Sequence, residues 1–263
     1  MATAVLPEPA SAEARNLYPP GIVVLPCHDQ ARYHQFTHDM QILDVPDGTR
    51  VTYQRSASIV QNLNEGIKDM LNGDAGWAWF IADDHAIPRD LVLRLLAREV
   101  DIVVPLVCRR GPPYSLVIFD EEVGNDEYGR PMYHTIQYDD LPPDGGMMEV
   151  VACGSAGMLV QRHVFEAMGD YPWFANSDGI SCNEDVEFCK SARALGFTIW
   201  CDTDARLGHL GTVASWPAHR DGRWGIVFDF QGSGQNQIWM PGGVQLQEES
   251  GITTATGEVD WHD

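Results

Sequence analysis

The chain has 263 residues, with 17 Lys+Arg against 38 Asp+Glu and a formal net charge of −21. Hydrophobic residues make up 44% and charged residues 21%, which fits a globular protein and excludes collagen-like, coiled-coil and wholly disordered chains. So acidic a chain has no bulk electrostatic grip on nucleic acid or an anionic membrane, because that grip needs Lys and Arg, and a polyanion could bind only where a metal or the few cations are concentrated.

Residues 1–20, rich in Ala, Pro and Glu, read as a flexible or draped extension. They contain neither an apolar run nor an early Lys or Arg, so no secretory signal is expected. Gly21–Pro26 is a short continuous apolar run, which predicts a buried parallel strand. Residues 49–55 alternate and are β-branched, which predicts a second strand. Ser56 can cap a following helix whose apolar positions Ile59, Leu63, Ile67 and Met70 fall at helical spacing, closed by Asn72-Gly73. Trp77–Ala82 is a third strand and ends in Asp83-Asp84-His85. Pro88 suits the first turn of a helix with Leu91, Val92, Leu95 and Leu96 on its inner face, and Asp101–Val107 is a fourth strand. Strand, helix, strand, helix, strand is the signature of an α/β sheet, and such sheets bind ligands at the carboxyl ends of their strands.

The stretch 111–146 holds Gly-Pro-Pro and Pro-Pro-Asp-Gly-Gly with scattered aromatics, which predicts short antiparallel strands and loops. Met147–Cys153 is expected as one strand, Gly154–Gly157 as a tight turn into Met158–Val160, and Arg162–Met168 as a short helix. A further helix is expected from Glu184, with Phe188, Cys189, Ala192 and Leu195 inward and Gly196 as its stop. Phe197–Cys201 reads as the last clear strand, and residues 231–263 as a weakly periodic tail. The six cysteines are dispersed and form no CxxC pair, which suits reduced thiols of a cytoplasmic protein rather than disulfides or a structural zinc site. No apolar run is long enough for a transmembrane helix.

Four clusters could carry chemistry. Asp83, Asp84 and His85 at a strand tip could ligate a hard divalent cation, or form an exposed acidic loop before Pro88. Asn183-Glu184-Asp185 at a helix start could supply a general base, or simply favour the helix N-terminus, where the macrodipole lowers a carboxyl pKa. Gly208-His209-Leu210-Gly211 offers an imidazole between glycines, as a ligand or as satisfied structure. Arg220, Arg223 and Trp224 could clamp a diphosphate and stack on a ring, or form a surface loop. His28, Arg55 and Arg109, at the ends of the first, second and fourth strands, are further candidate nucleotide contacts. P-loop, dinucleotide-binding and α/β-hydrolase motifs are all absent.

Several of these pieces, taken in chain order, carry a resemblance. Phe80-Ile-Ala-Asp-Asp-His85 with Pro88, Asp101–Pro105 with Cys108–Pro113, Ala152–Val160, Trp173-Phe174 with Asn183-Glu184-Asp185 and Phe188-Cys189, and Leu207–Gly211 stand in the order of a known set. Over residues 21–215 the chain resembles the GT-A-fold glycosyltransferases, specifically the family 2-like enzymes of phages and bacteria. The resemblance implies an α/β fold of GT-A type: a Rossmann-like, mostly parallel twisted sheet flanked by helices, with a small antiparallel region. It implies one catalytic domain over 21–230, after the 1–20 extension and before the 231–263 tail. Its metal motif fits in two registers. Asp84 is a ligand in an Asp-x-Asp register whose first position holds Ala82; Asp83 and His85 are the ligands in an Asp-x-His register. His209 completes the metal shell, Asp185 is the catalytic base and Glu184 its neighbour. Arg220, Arg223 and Trp224 look like the Gln-x-x-Arg-Trp motif of processive relatives, with Arg in place of Gln.

The implied activity is sugar transfer, with inversion, from a nucleotide sugar such as a UDP-sugar, with Mn²⁺ or Mg²⁺. The acceptor would be a protein, a glycan or a modified nucleobase, in a bacterial or phage-infected cytoplasm. Two other readings stay open: a nucleotidyltransferase-like enzyme, and a non-catalytic sugar-binding protein that keeps the fold. The former would want a basic Gly-rich loop after the first strand, which Leu25–Asp29 does not supply.

Overall fold

The computed structural model describes residues 10–26, 33–56, 58–127, 131–176, 184–220, 222–230, 237–241, 245–249, 252–256 and 260–261. They fall into two compact units, one drawn from Glu8–Arg109 and Ser115–His209, the other from Arg110–Tyr114 and Leu210–Asp263.

The first unit is of the mixed α/β class, built on a seven-stranded sheet. Its strands lie in the order Arg50–Gln54, Ile22–Pro26, Trp77–Phe80, Leu159–Gln161, Ile102–Leu106, Ile199–Arg206, Met147–Val150. Only Leu159–Gln161 and Met147–Val150 run against the rest, so the sheet is mostly parallel. The central strands are apolar throughout because helices cover both faces: Ile22–Leu25, Trp77–Phe80 and Ile102–Val104 are all buried. Residues 10–20 are tied to this unit. Trp77 Nε1 donates to the Pro19 carbonyl at 3.0 Å, and the Ala10 N–H donates to Asp44 Oδ2 at 2.8 Å.

The helix Ile59–Leu71 buries Leu63, Ile67 and Met70 as its apolar spacing predicts, while Ile59, at its first turn, is exposed. Its cap position is Ser58, not Ser56. The Ser56 hydroxyl instead bonds to Ser58 in a turn before the helix, and the Ser56 N–H donates to Asn62 Oδ1 at 2.7 Å. Gly66 lets this helix approach the first strand, since a Cβ there would run into the Val24 side chain. Leu91–Leu96 buries all four expected residues, with Pro88 one turn before its start rather than in its first turn. Glu184–Ala194 buries Phe188, Cys189 and Ala192, but Leu195 lies beyond the helix end and is 52% exposed. Gly196, at φ +93°, takes the left-handed stop. The helix His34–Ile42 has no clear apolar stripe and was not expected. It is held by a polar group: buried Asp39 accepts from the Ile87 N–H at 2.8 Å and from Gln35 Nε2 at 2.7 Å.

Asn64, fully buried on the helix Ile59–Leu71, fixes the segment Trp173-Phe174. Its Oδ1 accepts from both backbone N–H groups (2.9 and 3.0 Å), and its Nδ2 donates to the Phe174 carbonyl (2.7 Å) and to Val60 (2.8 Å). Asn64→Leu would leave three buried backbone groups unsatisfied. A loss of about 3 kcal/mol is expected in urea unfolding, at 1–3 kcal/mol for each stranded group with partial relaxation.

The expected strand Met147–Cys153 is broken at Val151. Met147–Val150 edges the large sheet, while Ala152–Cys153 joins a second, antiparallel sheet with Ile118–Asn125 and Pro131–Thr135. One apolar run thus serves two sheets, and apolarity alone does not mark the change. Among the described cysteines, Cys108, Cys153, Cys189 and Cys201 are free thiols. Cys27 and Cys182 lie outside the described residues.

The second unit is β-structured. Val213–Arg220, Arg223–Phe230, Gln237–Pro241 and Asp260–Trp261 form one antiparallel sheet, and Gln245–Glu249 pairs with Ile252–Thr256. The expected last strand, Phe197–Cys201, is thus followed by further strands, four of them beyond residue 231 among the described residues. The overlooked signal is Asp221-Gly222 between two alternating segments, the dipeptide of a two-residue hairpin turn.

Candidate metal centre and active site

The buried strand Trp77–Phe80 delivers the chain to its carboxyl end, where Ile81 N–H still donates to the Val24 carbonyl at 3.2 Å. His85-Ala86 then pairs antiparallel with Gly208-His209, in the register His209↔His85 and Gly208↔Ala86. Gly208 permits this approach, because a Cβ there would lie 3.1 Å from that of Ala86. The pairing stacks the two imidazoles, with centroids 4.5 Å apart and planes at 24°.

Asp84, His85 and His209 each offer one ligand atom, and the three atoms lie within 4.8 Å of one another. Both imidazoles are oriented through their Nδ1 atoms. His209 Nδ1 is 3.0 Å from the Cys108 carbonyl, and His85 Nδ1 is 3.2 Å from the Ala82 carbonyl and 3.0 Å from Asp84 Oδ1. A carbonyl only accepts, so each Nδ1 carries the proton and each Nε2 of a neutral ring presents a lone pair. His209 Nε2 then faces Asp84 Oδ2 at 3.3 Å, an acceptor against an anion. His85 Nε2 is buried and has no hydrogen-bonding partner among the described residues. Protonating both stacked rings would set two cations face to face. A divalent cation between Asp84 and His209 Nε2 would remove the conflict of acceptor against anion, and two imidazoles with a carboxylate form a coherent donor set for it. Burial works to raise the Asp84 carboxyl pKa; with a proton on His209 Nε2 in place of a metal, hydrogen bonds from His209 and His85 outweigh it and hold the group well below the usual carboxylate range.

Asp83 is half-buried and lies outside this group of ligand atoms. The cluster matches neither sequence register as written: it takes Asp84 from one and His85 from the other, with His209 common to both.

Asp185, at the start of its helix, lies beside the turn Gly154–Gly157. A Cβ on Gly154 would be 3.6 Å from Asp185 Oδ2. The same turn is pinned to the central strand, since Gly157 N–H donates to the Phe80 carbonyl at 2.8 Å and Trp79 Nε1 to the Gly157 carbonyl at 2.9 Å. The candidate ligand cluster and the carboxylate are thus both anchored on the carboxyl end of Trp77–Phe80. Burial, then the neighbouring charge of Glu184, pushes the Asp185 pKa up to about 6, against N–H bonds from Val186 and Ser155. The helix terminus was expected to lower this pKa; burial outweighs it. Glu184 is buried, its own pKa is raised by that burial, and its Oε2 has no hydrogen-bonding partner among the described residues.

Arg55 and Arg109 are exposed, just past the strands Arg50–Gln54 and Ile102–Leu106. His28 lies outside the described residues. Arg220, Arg223 and Trp224 belong to the second unit and flank a hairpin turn, with Arg220 opposite Arg223 and the Trp224 ring, 70% exposed, edge-on to His219 at 5.2 Å. Asp202, upstream of His209, is fully buried and pairs through both oxygens with Arg98 (2.7 and 2.9 Å), so it serves the fold. Sequence reasoning missed the carbonyls of Ala82 and Cys108 that orient the imidazoles; backbone groups leave no residue-type signal.

No family model and no curated protein matches the sequence. Among solved structures the chain is similar to A197 from STIV, at 13% identity and a TM-score of 0.49, over 88% of this chain and 99% of that one. It is also similar to GalNAc-T7, solved with UDP, GalNAc and Mn²⁺, at 13% identity and a TM-score of 0.46. That match covers 78% of this chain and 45% of the other, so this chain spans less than half of that structure's length. No helix among the described residues is long and apolar enough to cross a membrane.

Proposed function

We propose that the chain is a metal-dependent glycosyltransferase of GT-A, family 2-like type, which moves a sugar from a nucleotide sugar such as a UDP-sugar to an acceptor hydroxyl in the bacterial or phage-infected cytoplasm. The observation that carries the reading is the Asp84/His85/His209 donor set, with its buried, partnerless His85 Nε2, at the carboxyl end of a central strand. These three residues would hold Mn²⁺ or Mg²⁺, whose charge offsets that of the leaving diphosphate and supplies the positive field the composition lacks. Arg55 and Arg109 are assigned to the nucleotide by their place past strand ends.

Asp185 acts as general base. With a pKa of about 6 it is mostly ionised at neutral pH yet more basic than a free carboxylate. It takes the acceptor's hydroxyl proton as the oxygen attacks the anomeric carbon. The bond from that carbon to the diphosphate oxygen breaks, and its electron pair leaves with the diphosphate. Attack opposite the leaving group inverts the anomeric centre. Glu184, beside it, keeps the base from ionising too readily.

The test is donor hydrolysis over a panel of nucleotide sugars, with and without Mn²⁺. At least one donor should turn over only with metal. No turnover of any donor, together with no metal-dependent nucleotide binding, would overturn the reading.

A further inference from the structure

A cavity of about 540 Å³ opens in the first unit, away from the residues assigned above. It sits where two parallel strands of the large sheet end, with Leu106 and Arg206 paired across its floor. One wall is the segment Tyr138–Gly145. This wall is built, not draped. Tyr138–Asp140 is a turn of 3₁₀ helix closed by a reciprocal capping box between Gln137 and Asp140. Gly145 N–H donates to the Pro142 carbonyl at 3.0 Å, and Thr203 donates to the Gly146 carbonyl through both its N–H and its hydroxyl, each at 2.9 Å. Gly145 takes φ +73° with no room for a side chain, because a Cβ would run into the Asp204 carboxylate.

The lining chemistry is specific. Tyr138, 53% exposed, and the rings of Pro142 and Pro143 offer flat apolar surface. Asp144 and Asp204 offer carboxylate acceptors, Asp204 also lying 3.6 Å from Arg98, and Arg206 offers planar donors. Apolar ring faces interleaved with acceptors and donors match a pyranose, which has an apolar C–H face and a rim of hydroxyls. Two carboxylates against one guanidinium disfavour an anionic ligand. The volume lies within the range of small-molecule sites. Position adds to this. Leu106 is two residues from Cys108, whose carbonyl orients His209, and Arg206 is three residues from His209 itself. The cavity is therefore within roughly 10 Å of the candidate ligand cluster along the backbone, at about 3.3 Å per extended residue.

We infer that this cavity is a binding site for a neutral oligosaccharide, and that it receives the acceptor. The acceptor role rests on the glycosyltransferase reading; saccharide binding itself does not. The inference narrows the acceptor from protein, glycan or modified nucleobase to a glycan.

The experiment uses the full chain and saturation-transfer NMR with maltotriose, cellotriose, chitotriose and lacto-N-neotetraose, with oligogalacturonate as the acidic comparison. Binding of UDP with Mn²⁺ is measured in parallel. At least one neutral member should bind. Tyr138→Ala and Arg206→Ala should each weaken that binding by about tenfold, Tyr138→Phe should keep it within about threefold, and Mn²⁺–UDP binding should be unchanged in all three. The inference is overturned if no neutral member binds, if oligogalacturonate binds more tightly, or if neither alanine variant matters. Saccharide binding without any Mn²⁺–UDP binding would instead sink the glycosyltransferase reading and the acceptor role, leaving a saccharide site.

Discussion

Asp185→Asn is expected to lower sugar transfer by about 10²–10⁴-fold, the usual contribution of a positioned general base, while Mn²⁺-dependent donor binding stays within about twofold. The same substitution should make the protein more stable at neutral pH, and the sign follows from the environment of the carboxyl. Burial and Glu184 raise its pKa from an ordinary 3.8 to about 6, so the folded state holds this proton more tightly than the unfolded chain does. That contribution to stability is fully present below pH 3.8 and is lost as pH rises through about 6. Above that, the buried charge works against the fold. Asn carries no charge, so Asp185→Asn should gain up to about 3 kcal/mol at pH 8, taking 1.36 kcal/mol per pH unit as an upper bound. The gain should vanish below pH 4. Wild-type kcat/KM should fall on the acid side with an apparent pKa near 6, and residual activity of the variant should lack that limb. Lower activity with higher stability marks a functional group kept at a cost to the fold. Equal activity, or a loss of both, would show that Asp185 is not the base.

This trade also shows where the sequence stops being informative. The central strands are legible because burial on both faces forces continuous apolar runs, as in Ile22–Leu25 and Trp77–Phe80. Helix Ile59–Leu71 is legible because one buried face imposes a repeat. The helix His34–Ile42 is not, since it buries only Phe36 and the Asp39 carboxylate, too few positions to set a repeat. Nor is the pKa of Asp185, because the helix terminus is a local feature and burial is a tertiary one. Asp84, His85 and His209 are each visible as residue types. What makes them one group is the two-residue pairing of His85-Ala86 with Gly208-His209, which joins positions 125 apart, as between Asp84 and His209. No periodicity encodes that register. The second unit is less legible for another reason: Arg220 and Arg223, opposite one another across the turn, read equally as a cationic surface loop.

His209→Ala is expected to weaken Mn²⁺ binding by at least about 100-fold, because losing even a group behind a ligand costs 10–100-fold and this removes a ligand. Titration calorimetry without any nucleotide reads this directly, independent of turnover. In the wild type, Mn²⁺ at about 100 times its Kd should stabilise the fold by about 2.7 kcal/mol, a rise in Tm of roughly 5–11 °C for a domain of this size. The variant should show almost none of that rise. Its metal-free form should lose no more than about 2 kcal/mol against the metal-free wild type, since the Nδ1–H bond to the Cys108 carbonyl goes with the ring while the Nε2 atom only faces the Asp84 carboxylate at 3.3 Å. His163→Ala is the control: that imidazole is exposed and pairs with Asp101 at 2.8 Å, and its loss should leave Mn²⁺ binding unchanged. Two imidazoles in the donor set also predict an order among ions. Mg²⁺ prefers oxygen ligands in a strict octahedron, so Mn²⁺ should bind at least about tenfold more tightly. If His209→Ala binds Mn²⁺ as the wild type does, the ion is not held by this cluster, and the conflict between the His209 lone pair and Asp84 must then be relieved by a proton instead.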